Sequence, residues 1–321
     1  MSSENLNTAA QQEKVPSRTI GMTIMVTLIL FTAFWMSRPQ TGSSDSSDAL
    51  IYQETANQET AGFRSDAWQL PNSNMLGFVK IPAGEFTMGS NPALDRMAYD
   101  TERWSLMRRQ GSVDLPDYYI GKYEVTVAQI SSWAAQNSNL ARGISLDGDG
   151  VYPVTQITWP QAVAYANWLD QQLRNYDETP GEIAQLLANG GRVTLPSEAE
   201  WEKAARGTDG RIFPWGFRPQ AGMANYSSGS ALAVGSSNCP QCAYGLSDMA
   251  GNVWEFTRSP MQEYPYDASD DFAVTSPDTL WVMRGGSYSD EVNNVRTAIR
   301  GGVDASVRSS NIGFRLVISS L

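Results

Sequence analysis

The chain has 321 residues, a formal charge of −11, no histidine and two cysteines. Without histidine there is no Ser–His–Asp or Cys–His nucleophile, no imidazole base and no imidazole-bound zinc, copper or iron. The acidic balance argues against nucleic acid, whose phosphates need clustered Lys and Arg. Chemistry is left to carboxylates, Lys, Tyr, the two thiols, or a hard cation held by oxygen.

In chain order, residues 1–18 read as a cytoplasmic tail. Residues 19–36, "TIGMTIMVTLILFTAFWM", are apolar and uncharged, bracketed by Arg18 and Arg38. At about 1.5 Å of rise per residue such a run just spans a bilayer. The alternative is a cleaved signal peptide, but "FWMSRPQ" lacks the small-residue spacing of a cleavage site, which favours an uncleaved anchor. Lys14 and Arg18 before the span place the N-terminus inside, so the rest of a single-pass inner-membrane protein faces the periplasm or exterior. Residues 37–75, rich in Ser, Thr, Asp and Gln, read as a flexible stalk, and 76–321 as the folded domain.

Within that domain, "LGFVKIPAGEFTMGS" (76–90) reads as strand, turn, strand. A strand over Tyr118–Val125 precedes a helix capped by Thr126, with Gln129 completing a capping box. Thr158 with Gln161 opens an amphipathic helix to about Arg174. Ser197 with Glu200 opens a third, stopped at Gly207. Helices scattered among short strands, without βαβ alternation or a repeat of fixed period, indicate an α+β fold.

The segments "IPAGEFTMGS", "YYIGKYEVTVAQ", "YPVTQITWPQAVAYANWL", "GGRVTLPSEAEWEKAARG", "FPWG", "YGLSDMAGNVWEF", "MRGGSY" and "NIGFRLV" appear in that order from about 76 to 319. In this order they resemble the formylglycine-generating (sulfatase-modifying factor) family. The resemblance implies a variant C-type-lectin-like fold, poor in regular secondary structure, with structural calcium. It also implies that "DMAGNVWE" wraps the ion, with carboxylate oxygens from Asp248 and Glu255 and main-chain carbonyls of Gly251 and Val253. That donor mix suits calcium, which takes six to eight oxygens. The bland alternative is a turn whose acids face solvent while Trp254 fills core. At a second family calcium site Asn225 and Tyr226 match the first half, but "SSGSALAVGSS" lacks the completing acid.

The resemblance breaks at the catalytic centre. Family members that oxidise a sulfatase cysteine carry a copper-binding cysteine pair just after "GGSY". Here "GGSYSDEVNNVRTAIRGG" (285–302) has no cysteine. Cu(I) needs soft thiolate or thioether ligands, so no copper is expected. Cys239 and Cys242, in "NCPQCAYG", could form a redox motif, half a zinc site or a small disulfide. An oxidising compartment favours the disulfide.

Tyr288, Asp290, Asn293, Asn294 and Arg296 fall where relatives shape their substrate cleft, and mark a possible ligand surface. Against this, Arg296 and Arg300 can equally satisfy buried carbonyls or pair with acids. Phe314 and Arg315 read as fold-defining, one in core and one paired to an acid. Taken together these features favour a non-catalytic, membrane-tethered accessory domain that docks on a protein partner or membrane complex. Two alternatives stay open. One is an enzyme with a cysteine-free site at Asp290, Glu291 or Tyr288, resembling relatives in siderophore maturation. The other is a ligand-display protein of the kind diversified by retroelements.

Overall fold

The computed structural model describes residues 60–320 except Asn238, Thr275 and Pro277. The expected cytoplasmic tail and anchor (1–36), and the stalk as far as residue 59, lie outside the described residues. Regular structure is present before the expected boundary at 76. Residues assigned to the stalk form two short paired strands, β1 (Phe63–Arg64) and β2 (Leu70–Pro71). Average composition hid the cause: Ala67 and Leu70 enter the main core, and Trp68 packs edge-on against Trp168 and Tyr176. Arg64 ties this segment to Glu178.

Strands β3 (Phe78–Ile81) and β4 (Gly84–Met88) flank the expected turn but belong to different sheets. β4 pairs with β5 (Gly111–Leu115), and β3 with β6 (Tyr118–Gly121). The ladder of β6 stops short of the expected Val125. Beyond it, Lys122 donates to Gly77 O and Val125 to Phe314 O, so the chain stays hydrogen-bonded without forming a strand.

Helix α1 (Val127–Ala134) starts at the expected box: Gln129 Oε1 accepts from Thr126 N at 2.8 Å. α2 (Trp159–Asn175) carries Pro160 in its first turn, where the missing N–H costs nothing. α3 (Gly181–Ala188), not foreseen, supplies Ile183 and Leu187 to the core. α4 (Glu198–Arg206), after β7 (Arg192–Thr194), has both capping bonds, Glu200 N to Ser197 Oγ at 3.0 Å and Ser197 N to Glu200 Oε2 at 2.7 Å.

The C-terminal half adds β8 (Trp254–Pro260), β9 (Leu280–Arg284), β10 (Gly301–Asp304), β11 (Ile312–Gly313) and β12 (Val317–Ser319). One sheet runs β10-β9-β8-β11 and another β3-β6-β12-β7, with long irregular connections between. The main core lies between α1, α2 and these strands, around Trp133, Tyr165, Leu169, Phe256 and Phe314. Phe314 is buried, as its motif suggested. The parallel pairing of β11 with β8 sets Gly313 opposite Glu255 and brings "GFR" beside "NVWE". β12, two residues on from Arg315, joins the other sheet, so Arg315 sits where the two sheets meet.

Candidate functional site

The 285–300 segment is held shut by its own side chains. Asp290, in the stretch after "GGSY" that carries no cysteine, accepts four hydrogen bonds. Its Oδ2 takes Ser287 N (3.0 Å), Ser287 Oγ (2.6 Å) and Trp254 Nε1 (2.9 Å), and its Oδ1 takes Asn294 Nδ2 (3.2 Å). Gly286 makes the turn possible. It has φ +74, and a Cβ there would lie 2.1 Å from Asn294 O. Asn293 donates to the Tyr99 hydroxyl, which donates to Asn294 Oδ1 at 2.9 Å. Tyr288 is half-buried, its hydroxyl 3.4 Å from Ser310 Oγ.

Arg296 does not reach the ligand surface. Its guanidinium is fully buried and bound to Asp95 (2.7 Å), to both oxygens of Glu102 (2.8 and 2.5 Å) and to Asn293 O (2.7 Å). Two carboxylates from the β4–β5 connection compensate its charge, as a buried guanidinium requires. Arg300 is likewise spent on Glu198 and on the carbonyls of Thr101 and Gln262. The structure therefore separates the expected ligand residues. Tyr288, Asp290, Asn293 and Asn294 stay near the surface, while Arg296 braces the loop from below.

The Asp248–Glu255 loop turns through three left-handed positions, Asp248 (φ 59), Gly251 (φ 74) and Asn252 (φ 62). Only glycine fits at 251, where a Cβ would lie 2.1 Å from Asn225 O. Both acids face inward, so the reading in which they point to solvent fails. Glu255 is fully buried in a two-point fork with Arg315, both contacts 2.6 Å, and its Oε2 also accepts from Trp201 Nε1 at 2.7 Å. Asp248 Oδ2 accepts from Gly235 N at 2.6 Å.

A third acid, Glu124, was not foreseen. It is 1% exposed; its Oε1 accepts from Asn252 Nδ2 at 3.0 Å, but its Oε2 has no hydrogen-bond partner. Burial, then repulsion from Asp248, drives its pKa well above the carboxylate range. Burial lifts Asp248 to about 6, with Glu255 adding to the rise against the Gly235 N–H, Arg315 and a side-chain hydrogen bond with Glu124. Three buried carboxylates thus face one guanidinium, and the site is short of positive charge. The only sequence signal for Glu124 was an acid within the apolar "YYIGKYEVTV" run, costly to bury without a partner.

For the calcium that the family implies, the fit rests on this deficit and on the orphaned Glu124 oxygen. Glu255 is already committed to Arg315, which shifts the carboxylate supply toward Glu124 and Asp248. Among the described residues no three acidic, thiol or imidazole side chains converge as a ready-made metal cluster. Main-chain carbonyls would have to complete the shell, as calcium commonly allows. At the second candidate position, Asn225 is consumed locally. Its side chain donates to Ser230 O and Asn252 Oδ1 and accepts from Ser228 Oγ.

Cys239 and Cys242 are bonded to each other, with Cα atoms 5.3 Å apart. They pack in the same cluster as Phe213, Trp215 and Met223, which also takes in Val292 and Val295 of the 285–300 segment.

The sheet pairing, the closed "GGSY" turn and the Glu255–Arg315 fork define a domain of the formylglycine-generating type. The chain belongs to the sulfatase-modifying factor enzyme 1-like domain family, whose profile matches residues 64–320. It is 29% identical over 308 residues to the inactive C-alpha-formylglycine-generating enzyme 2 of Bos taurus, covering 78% of this chain and 91% of that one. It is 30% identical over 194 residues to the formylglycine-generating enzyme of Mycobacterium tuberculosis, covering 52% of this chain and 57% of the relative. Hercynine oxygenase of Mycolicibacterium smegmatis is 27% identical, covering 69% and 56%. The chain thus spans little more than half the length of these last two relatives. Among solved structures, PvdO from Pseudomonas aeruginosa shares the fold, with a TM-score of 0.60 at 22% identity over 75% of this chain and 94% of that one. The Treponema denticola variable protein 1 gives 0.57 at 25% identity, covering 75% and 94%. The family thus includes inactive members and oxygenases.

Proposed function

We propose that this chain is a non-catalytic accessory domain of its family, tethered to the inner membrane by residues 19–36, with residues 60–320 in the periplasm or exterior, where they dock on a protein partner or membrane complex. The observation that carries this reading is Asp290. In the stretch after "GGSY", where the resemblance implies a copper-binding cysteine pair, the Asp290 carboxylate accepts four hydrogen bonds from its own loop and from Trp254. A carboxylate does not hold Cu(I), which needs soft ligands. The engagement of Asp290 also counts against a cysteine-free catalytic site at the same residue. Extensive similarity to an inactive relative supports the same conclusion. No helix among the described residues is long and apolar enough to cross a membrane, so the tether rests on the apolar run at 19–36.

Calcium in this reading is a structural brace. Asp248 and Glu124 supply carboxylate oxygens and Gly251 and Val253 main-chain carbonyls, while Glu255 holds its fork with Arg315. The bound cation would neutralise the surplus charge between the sheets and keep the loop in its left-handed turn.

Two measurements test the proposal. Affinity capture of the full chain from solubilised membranes, followed by mass spectrometry, is expected to return a stable protein complex. Copper-dependent oxidation of a cysteine-containing peptide by the purified protein would overturn the non-catalytic reading.

A further inference from the structure

The long connection between β4 and β5 carries a tight hairpin whose tip no part of the described chain covers. Trp104 N donates to Arg109 O at 3.0 Å and Ser105 N to Arg108 O at 2.8 Å. The Ser105 hydroxyl accepts from Met107 N (3.3 Å) and Arg108 N (3.0 Å), fixing the turn from inside. Leu106 and Met107 occupy the two central positions and are 91% and 93% exposed, more than any other large apolar side chain described. The base is rigid: Trp104 packs on Tyr264 with ring centroids 5.5 Å apart, and a Cβ on Gly111 would fall 1.9 Å from the Trp104 ring. On one side Leu106 and Met107 also border a cleft of ≈ 810 Å3, whose other walls include Met261 and Tyr264.

Ordering two apolar side chains in water has no return for the domain itself. Their neighbours supply the reason. Arg108 and Arg109 follow at once, both are exposed, and among the described residues neither takes part in an ion pair. The buried and half-buried arginines nearby, Arg296, Arg300 and Arg103, are by contrast each paired with an acid. In a chain of net charge −11, the tip sets two almost fully exposed apolar side chains directly beside two guanidiniums that make no ion pair among the described residues.

We propose that the Ser105–Arg108 hairpin, with Arg109, docks this domain on an anionic lipid surface. Leu106 and Met107 enter the boundary between headgroups and acyl chains, and Arg108 and Arg109 bind the lipid phosphates. A short apolar wedge with adjacent cations draws on both terms that govern interfacial binding, buried apolar area and attraction to anionic headgroups. A convex tip needs no complementary cavity in its partner, which favours a deformable lipid surface over a protein. The inference is independent of the 19–36 tether, because it concerns what the tip touches and not how the chain is held.

The test therefore reads the tip alone, in the full chain. Met107→Cys is labelled with an environment-sensitive fluorophore, the native cysteines being bonded to each other, and Asn189→Cys on the exposed end of α3 serves as control. Mixed phosphatidylglycerol–phosphatidylcholine vesicles are expected to blue-shift the label at 107 and leave the one at 189 unchanged. In the same labelled background, Arg108→Glu with Arg109→Glu weakens the response by about tenfold or more, and added salt weakens it too. Leu106→Asp abolishes it. No shift with anionic vesicles overturns the proposal. So does an equal shift with phosphatidylcholine alone, or one insensitive to the arginine changes. A shift that appears only when a membrane protein is reconstituted with the vesicles assigns the tip to a protein and overturns it as well.

Discussion

Asp248→Asn tests the missing-cation argument, because its effect should change sign with calcium. The substitution keeps the shape of the side chain and an oxygen for the Gly235 N–H, 2.6 Å away in the parent. Burial raises the Asp248 carboxyl from its ordinary 3.8 to about 6. Between those values the folded protein holds a proton that the unfolded chain has released. Stability from this group is therefore complete below pH 3.8 and lost as pH rises through 6. The displacement of about two pH units corresponds to about 3 kcal/mol at neutral pH. In a chelator at pH 7 the asparagine variant should exceed wild type by up to this amount, about 6–12 °C in melting temperature for a domain of this size. The gap should close as pH falls toward 4. With saturating calcium the order reverses, since the ion neutralises the wild-type carboxylate and the variant has lost a ligand. The assay is a series of thermal melts of both proteins against pH, in chelator and in calcium. Parallel pH profiles in chelator refute the charge-deficit reasoning. A wild-type melting temperature indifferent to calcium refutes the site.

Other consequences follow from neighbouring features. Arg296→Met leaves Asp95 and Glu102 buried without a counter-charge, and denaturant unfolding should show a loss of about 3–5 kcal/mol. A ligand-binding role without that burden would leave stability unchanged. Gly286→Ala forces a side chain into Asn294 O and should destabilise strongly, whereas Gly229→Ala, with nothing within 4 Å, should be close to neutral in the same melts. Thiol reagents should fail to label Cys239 and Cys242 in the native protein until reductant is added, and reduction should cost about 2 kcal/mol or less, because the loop it closes is short. Labelling without reductant would contradict the bonded pair.

What could be read in advance followed the range of each interaction. Caps at Thr126 and Ser197 were legible because both partners of each box lie within one turn of helix. The order of motifs carried the family, and so the fold class, while the absence of histidine and of cysteine near "GGSY" carried the expectation of no copper. The start of the domain was misjudged because a few apolar residues at 63–76 sit in a polar average, and α3 was missed because its eight residues lack a capping signal.

The residue types alone thus determined which donor groups are missing, since no arrangement of these side chains supplies an imidazole, or a thiolate pair after "GGSY". Only the tertiary structure decided which charges are spent and which are left over. Arg296 and Glu102 are far apart in sequence, as are Glu124 and Asp248, yet the first pair cancels its charge while Asp248 pushes the Glu124 carboxyl up. Chain order does not specify the dielectric or the partners that a fold assembles around a charge. For a buried carboxylate those two quantities, more than its identity, decide whether it braces a loop or lacks a cation.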